Sequence, residues 1–281
     1  LLCIFIVIIL LIQNKKTYYI IMNYQNNLLF ILFTTFFLMF MVYKYAFVNN
    51  KPHCNHFVTN VYLYLGLSFS LVGSFIHMYN YGFNTSKQLN VLLPESKVFR
   101  QIMPYIFFSF LISIISIIFL SIRPMFSKNG FLMNHILWLI FLGSISLILY
   151  PYFKSIEYSV VLQRVLIMTC MIFLAMSSLV SIIPDFLRKT YYKASLGFLI
   201  ALIVIIITEL FLLFTQQYTR PLYNIISYIV IVLFSMFIAY DTSKLFSYAE
   251  QCIHSPNYPL VSTNLFLDII NIFVRLMGTS R

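Results

Sequence analysis

The sequence predicts an all-α polytopic membrane protein, a bundle of hydrophobic helices, and three observations predict it. The chain is 61% hydrophobic and 9% charged over 281 residues, with a mean hydropathy of +0.92, far too apolar for a soluble domain of this size. Its apolar residues gather into eight runs long enough to cross a bilayer. Most links between the runs are short, which favours antiparallel neighbours in a bundle. The net charge of +11 belongs to loops and the membrane surface, because no basic cluster is interleaved with a base-stacking motif. The lipid bilayer is therefore the expected partner, and nucleic acid is not.

Taken in order, Leu1 to Ile12 is apolar but short for a span, and it precedes Lys15 and Lys16. The chain opens without Met, and Met22 follows soon after, so residues 1–21 read as a fragment or as sequence upstream of the start. We treat 1–27 as an N-terminal segment. Spans are expected near 28–48, 57–82, 101–122, 131–150, 162–184, 195–214, 222–243 and 260–277. Lys44 near the end of the first can snorkel to the interface. Gly66, Ser70, Gly73 and Ser74 fall close to one face of the second, where small side chains let backbones approach. His77 near its end reads as an interface or packing histidine. The link from Gly82 to Arg100 reads as an aqueous loop, with Asn84, Ser86, Pro94, Glu95 and Lys97. Counting Lys and Arg leaves ten on one side of the membrane and eight on the other, which decides no orientation. Cys3, Cys54, Cys170 and Cys252 show no paired spacing, so neither a zinc site nor a disulfide framework is expected.

The last two spans carry the chemistry. Asp241 ends the uncharged run that starts at Pro221, and Asp268 lies among Leu265, Phe266, Ile269 and Ile270. An ionisable side chain at mid-membrane costs roughly 2.5–3.5 kcal/mol on insertion scales, so two in consecutive helices mark an ion or proton path by default. Asn264, Asp268, Asn271 and Arg275, spaced four, three and four apart, share one helical face. Such a stripe must face other helices or water, and its bland reading is a structural hydrogen-bond seam. Two carboxylates in a poorly hydrated interior cannot both ionise cheaply and should share a proton. Without that proton they form a hard-oxygen site suited to Ca²⁺, with Asn264, Asn271, Thr242 or backbone carbonyls as further oxygens. Spacing does not by itself select calcium. Glu209, toward the end of its span, reads first as an interior polar contact or a shallow placement, and second as part of the path.

The segment Val232-Leu233-Phe234-Ser235-Met236-Phe237-Ile238-Ala239-Tyr240-Asp241-Thr242-Ser243-Lys244, followed by Ala249-Glu250, resembles the sixth-helix signature of the transmembrane Bax-inhibitor-motif family. Leu267 to Arg275 resembles that family's last helix. Within the family the chain is most similar to the mitochondrial growth-hormone-inducible transmembrane protein branch, through the Leu-Phe-Ser-Met-Phe run and the Ala-Glu pair. His135, Trp138, Gly143, Pro151 and Arg164 fall in order where that branch has similar residues. The resemblance implies a seven-helix domain over 57–281, with six helices around the last, and 28–48 as the branch's extra N-terminal span. It implies a pH-sensitive Ca²⁺ leak channel or a Ca²⁺/H⁺ exchanger, with Ca²⁺ and H⁺ as cargo, no cofactor and no enzymatic activity. It also implies the mitochondrial inner membrane, the wider family extending to the endoplasmic reticulum, Golgi and bacterial plasma membranes.

In some family members an arginine on the second core helix latches the first aspartate. Arg100 is the nearest candidate here, although it stands at a helix start. Arg164 is a second candidate gating residue, with a snorkelling anchor as its alternative. Intramembrane aspartyl proteases also pair aspartates, but Phe266-Leu267 stands where they carry Gly-x-Gly before the second acid, and no Pro-Ala-Leu follows. A non-transporting regulator of cell death or cristae organisation, acting through apoptosis-related or inner-membrane proteins, is the competing class.

Overall fold

A computed structural model describes residues 20–87, 95–127, 132–156, 160–182, 184–215 and 219–280, with side chains described outside 20–28, 80–101, 127, 154–160, 183–195 and 213. The segment 1–19, which holds most of the suspected fragment, lies outside the described residues. Among the described residues eight helices follow one another: α1 (Ile20–Ala46), α2 (Phe57–Lys87), α3 (Glu95–Ile122), α4 (Leu132–Ile156), α5 (Val160–Ile182), α6 (Pro184–Phe214), α7 (Arg220–Glu250) and α8 (Tyr258–Thr279). Seven contain runs long and apolar enough to cross a membrane. In α6 the apolar run is the shorter Leu196–Leu212, roughly 25 Å at the helical rise and near the lower limit for a span.

The helices outrun the apolar runs that announce them. The expected loop from Gly82 to Arg100 is corrected in this way, since α2 continues to Lys87 and α3 begins at Glu95. Polar residues extend a helix beyond the hydrocarbon layer at no desolvation cost, so hydropathy marks the buried length rather than the helical length.

The chain divides into two compact units. One holds α1 to α4 with Cys252–Thr263, and the other holds α5 to α7 with Asn264–Arg281. In the first unit α2 packs on both α1 and α4, and α3 packs on α4. The small-residue face of α2 meets α1 through hydroxyls: Thr35 lies 2.5 Å from Ser70 and 3.2 Å from Ser74. Gly73 has open space beside it, so close backbone approach is not what it provides. Two short antiparallel pairs close the connections. Strand β1 (Phe47–Val48) pairs with β2 (Lys51–Pro52), and β3 (Phe126–Ser127) pairs with β4 (Ser255–Pro256). Asn49 and Asn50 both adopt positive φ (51° and 61°), the backbone a two-residue hairpin turn requires and asparagine tolerates.

These pairs bring the start of α8 to the α1–α2 and α3–α4 connections. The Tyr258 hydroxyl donates to the His53 carbonyl and accepts from Asn60 Nδ2 at 3.0 Å. Asn60 Nδ2 also reaches the carbonyls of Asn55 and Tyr45, and the Asn257 amide donates to the Met125 carbonyl. Tyr64, stacked on Tyr258 and tilted against Trp138, hydrogen-bonds His135 at 2.8 Å. The expectation of no disulfide is overturned here: Cys54 and Cys252 are bonded, with Cα atoms 5.7 Å apart across 198 residues of sequence. No short-range spacing rule reaches a pair so distant, because helix packing rather than chain proximity brings the two together.

In the second unit α7 packs on α5 and α6. It starts with Thr219 in extended backbone and Pro221 in the first turn, where the missing N–H would have no intrahelical acceptor. Gly278 of α8 allows Tyr223 of α7 to lie against the backbone. A Cβ there would stand 1.7 Å from the tyrosine hydroxyl.

Candidate ion-pathway site

Helix α8 is the most enclosed of the candidate spans, with 61% of its 18-residue apolar stretch buried against 22% of Leu29–Ala46. Its apolar side explains this: Leu265, Phe266, Ile269, Ile272, Phe273 and Leu276 are all buried. The polar stripe lies on the other, more open side. Asp268 is closed off, at 7% exposure, while Asn271 and Arg275 are half-buried. Asn264 is exposed, which corrects the expectation that the whole stripe is turned inward. It sits about 9 Å along the axis from Tyr258, close to the polar connections, where an amide needs no shelter.

Asp241, on α7, is half-buried beside Ile238 and Ala239, both fully buried. The two aspartates stand close enough for the charge of Asp241 to act on Asp268. Asp268 Oδ2 is buried and has no hydrogen-bond partner among the described residues. An ionised oxygen in that position is expensive, so the group needs a proton or a cation. Among the described residues no cluster of three or more His, Cys, Asp or Glu forms. A cation held here would draw its remaining oxygens from amides, hydroxyls, backbone carbonyls or water.

The expected supporting residues are differently engaged. Thr242 is fully buried, and its hydroxyl lies 3.5 Å from Ser177 on α5. Asn271 Nδ2 donates to the Leu267 carbonyl of its own helix at 2.9 Å. Arg275 makes a two-pronged ion pair with Glu209 of α6, one prong at 2.6 Å, and both groups are largely buried (21% and 13% exposed). Glu209 is thus the interior polar contact its position suggested. Arg164 is exposed in the second turn of α5, as a snorkelling anchor would be. The side chain of Arg100 lies outside the described residues.

Sequence reasoning missed Lys244. One turn beyond Asp241, it lies close enough for its charge to act on that carboxylate, and its ammonium also stands 5.6 Å from the ring centres of Tyr240 and Tyr248. Its i, i+3 spacing from Asp241 was the available signal. A search of curated proteins finds no match. The family model described as inhibitor of apoptosis-promoting Bax1 matches residues 54–279, which begin after α1 and take in every helix from α2 to α8. This chain, a multi-pass helical membrane protein, belongs to the Bax-inhibitor family.

Proposed function

We infer that the chain passes Ca²⁺ across its membrane under the control of protons, either as a pH-sensitive leak channel or as a Ca²⁺/H⁺ exchanger. Asp241 and Asp268 are the groups that take either a proton or the cation. The observation that carries this reading is the buried, unpartnered Oδ2 of Asp268 within reach of a second carboxylate's charge. A neutral, fully hydrogen-bonded polar seam would serve structure better. An acid with a bare oxygen serves structure poorly and suits reversible binding of a positive charge. Lys244 offers Asp241 a tethered cation when neither Ca²⁺ nor a proton is bound. Resemblance to the mitochondrial branch supports the inner mitochondrial membrane as the compartment, and cargo movement needs neither catalysis nor a cofactor.

The test is Ca²⁺ entry into liposomes carrying the purified full chain and an internal Ca²⁺ indicator. Asp268→Asn keeps the shape and removes the charge. Entry should fall by ~10-fold or more, equivalent to about 1.4 kcal/mol or more of lost cation stabilisation. Unchanged entry removes Asp268 from the path. Acidification should slow wild-type entry, because protons then occupy the carboxylates that the cation needs. A proton-sensitive dye in the same vesicles separates exchange, where protons leave as Ca²⁺ enters, from leak. The family description, an inhibitor of a death-promoting protein, favours a second reading in which the chain acts by binding protein partners. Absence of wild-type flux at every pH would favour that reading.

A further inference from the structure

The Cys54–Cys252 pair joins the segment between β2 and α2 to the residue that follows α7 and its cap. Both cysteines are half-buried, and the residues beside them (Asn55, His56, Gln251, Ile253 and His254) are exposed. Ile253 is 83% exposed. The carbonyl of His254 lies 3.3 Å from one sulfur and 3.6 Å from the other. A reagent from the aqueous phase can therefore reach both sulfurs. Cys170 gives an internal contrast: it is free, 6% exposed and set in the middle of α5. Among the three described cysteines, the two that aqueous chemistry can reach are the two placed to bond.

We propose that Cys54 and Cys252 form a thiol–disulfide exchange site, and that the α1–α2 and α7–α8 connections carrying it face the oxidising side of the membrane. Disulfides persist where the compartment keeps thiols oxidised and are rare where glutathione and thioredoxin reduce them. That asymmetry supplies the orientation which ten basic residues against eight do not. The α3–α4 connection belongs to the same oxidising face, since β3 pairs with β4 directly after Cys252.

The chemistry balances with an exogenous disulfide as oxidant, either that of a disulfide oxidoreductase or a low-molecular-weight one. One cysteine thiolate attacks a sulfur of that disulfide, forming a mixed disulfide and expelling the first thiolate. The second cysteine attacks the protein sulfur of the mixed disulfide, closing the Cys54–Cys252 bond and expelling the second. Two electrons pass from the cysteine pair to the exogenous disulfide, which leaves as two thiols carrying the two protons. An external dithiol reverses the sequence.

The test uses the full chain in its native membrane, in a Cys3→Ser/Cys170→Ser background. Free thiols are blocked, the protein is denatured and reduced, and a polyethylene-glycol maleimide counts the sulfurs that reduction releases. Two adducts per chain are expected after reduction and none without it, with Cys54→Ser and Cys252→Ser each losing the reduction-dependent signal. No adducts after reduction, both sulfurs having been capped as free thiols in the first step, would overturn the site. In sealed vesicles, a membrane-impermeant phosphine followed by an impermeant maleimide should label the pair from the oxidising side. Labelling from the reducing side would overturn the orientation. The wild-type cysteine pair carries both readouts, so misfolding of a serine variant does not blunt the test.

Discussion

At the first turn of α8, Tyr258 and Asn60 share their donors and acceptors with His53, Asn55 and Tyr45, and a disulfide lies six residues upstream. About three turns further along the same helix, Asp268 keeps a buried oxygen with no partner among the described residues, and Arg275 holds Glu209 in a two-pronged pair. Both regions bury polar atoms, but to different ends. The first is neutral, and although Asn60 Oδ1 and Asn257 Nδ2 are bare there among the described residues, its cross-bonds fix where the helix begins and none of its bare atoms is an acid. The second is charged, and its bare acid can change state by gaining a proton or a cation. The contrast separates polarity that specifies a fold from polarity left available for chemistry.

The sharpest way to break that contrast is Glu209→Gln. If the charged half is a set of balanced groups, this change takes the Glu209 charge away from the largely buried Arg275 guanidinium. Breaking such a pair from one side costs roughly 3–5 kcal/mol. Thermal unfolding of the purified chain in detergent should show a marked loss. Replacing both partners together, Glu209→Leu with Arg275→Met, should recover most of it, because the stranded charge is then gone. A double variant as unstable as the single one would mean that geometry, and not charge balance, is what the pair provides.

How much of this was legible beforehand follows the same division. The spans, the apolar side of α8 and the two acids could be read from the chain, because burial in lipid writes itself into local composition and helical spacing. What sequence could not supply were pairings between distant elements. Glu209 and Arg275 are 66 residues apart, and nothing local to either names the other. Cys54 and Cys252 left one usable sign: each lies in a short connection, and alternating spans put those connections on the same side. The exposure of Asn264 escaped for another reason. A polar stripe announces one helical face, but not the depth at which that face opens to water.

Tyr258→Phe tests the other half of the contrast with a smaller expected effect. The ring keeps its stacking on Tyr64, but the hydroxyl between His53 and Asn60 is lost. Asn60 Nδ2 retains the carbonyls of Tyr45 and Asn55, so the damage concentrates on the His53 carbonyl. A buried group left unsatisfied costs about 1–3 kcal/mol, and because this carbonyl is only part-buried the variant should lose stability near the lower end of that range. The pH dependence of Ca²⁺ entry should stay where it is in the wild type, because no titrating group of the pathway has been touched. A variant of ordinary stability whose pH dependence moved would mean that the neutral turn and the acids farther along α8 act as one device, and the division between them would fail.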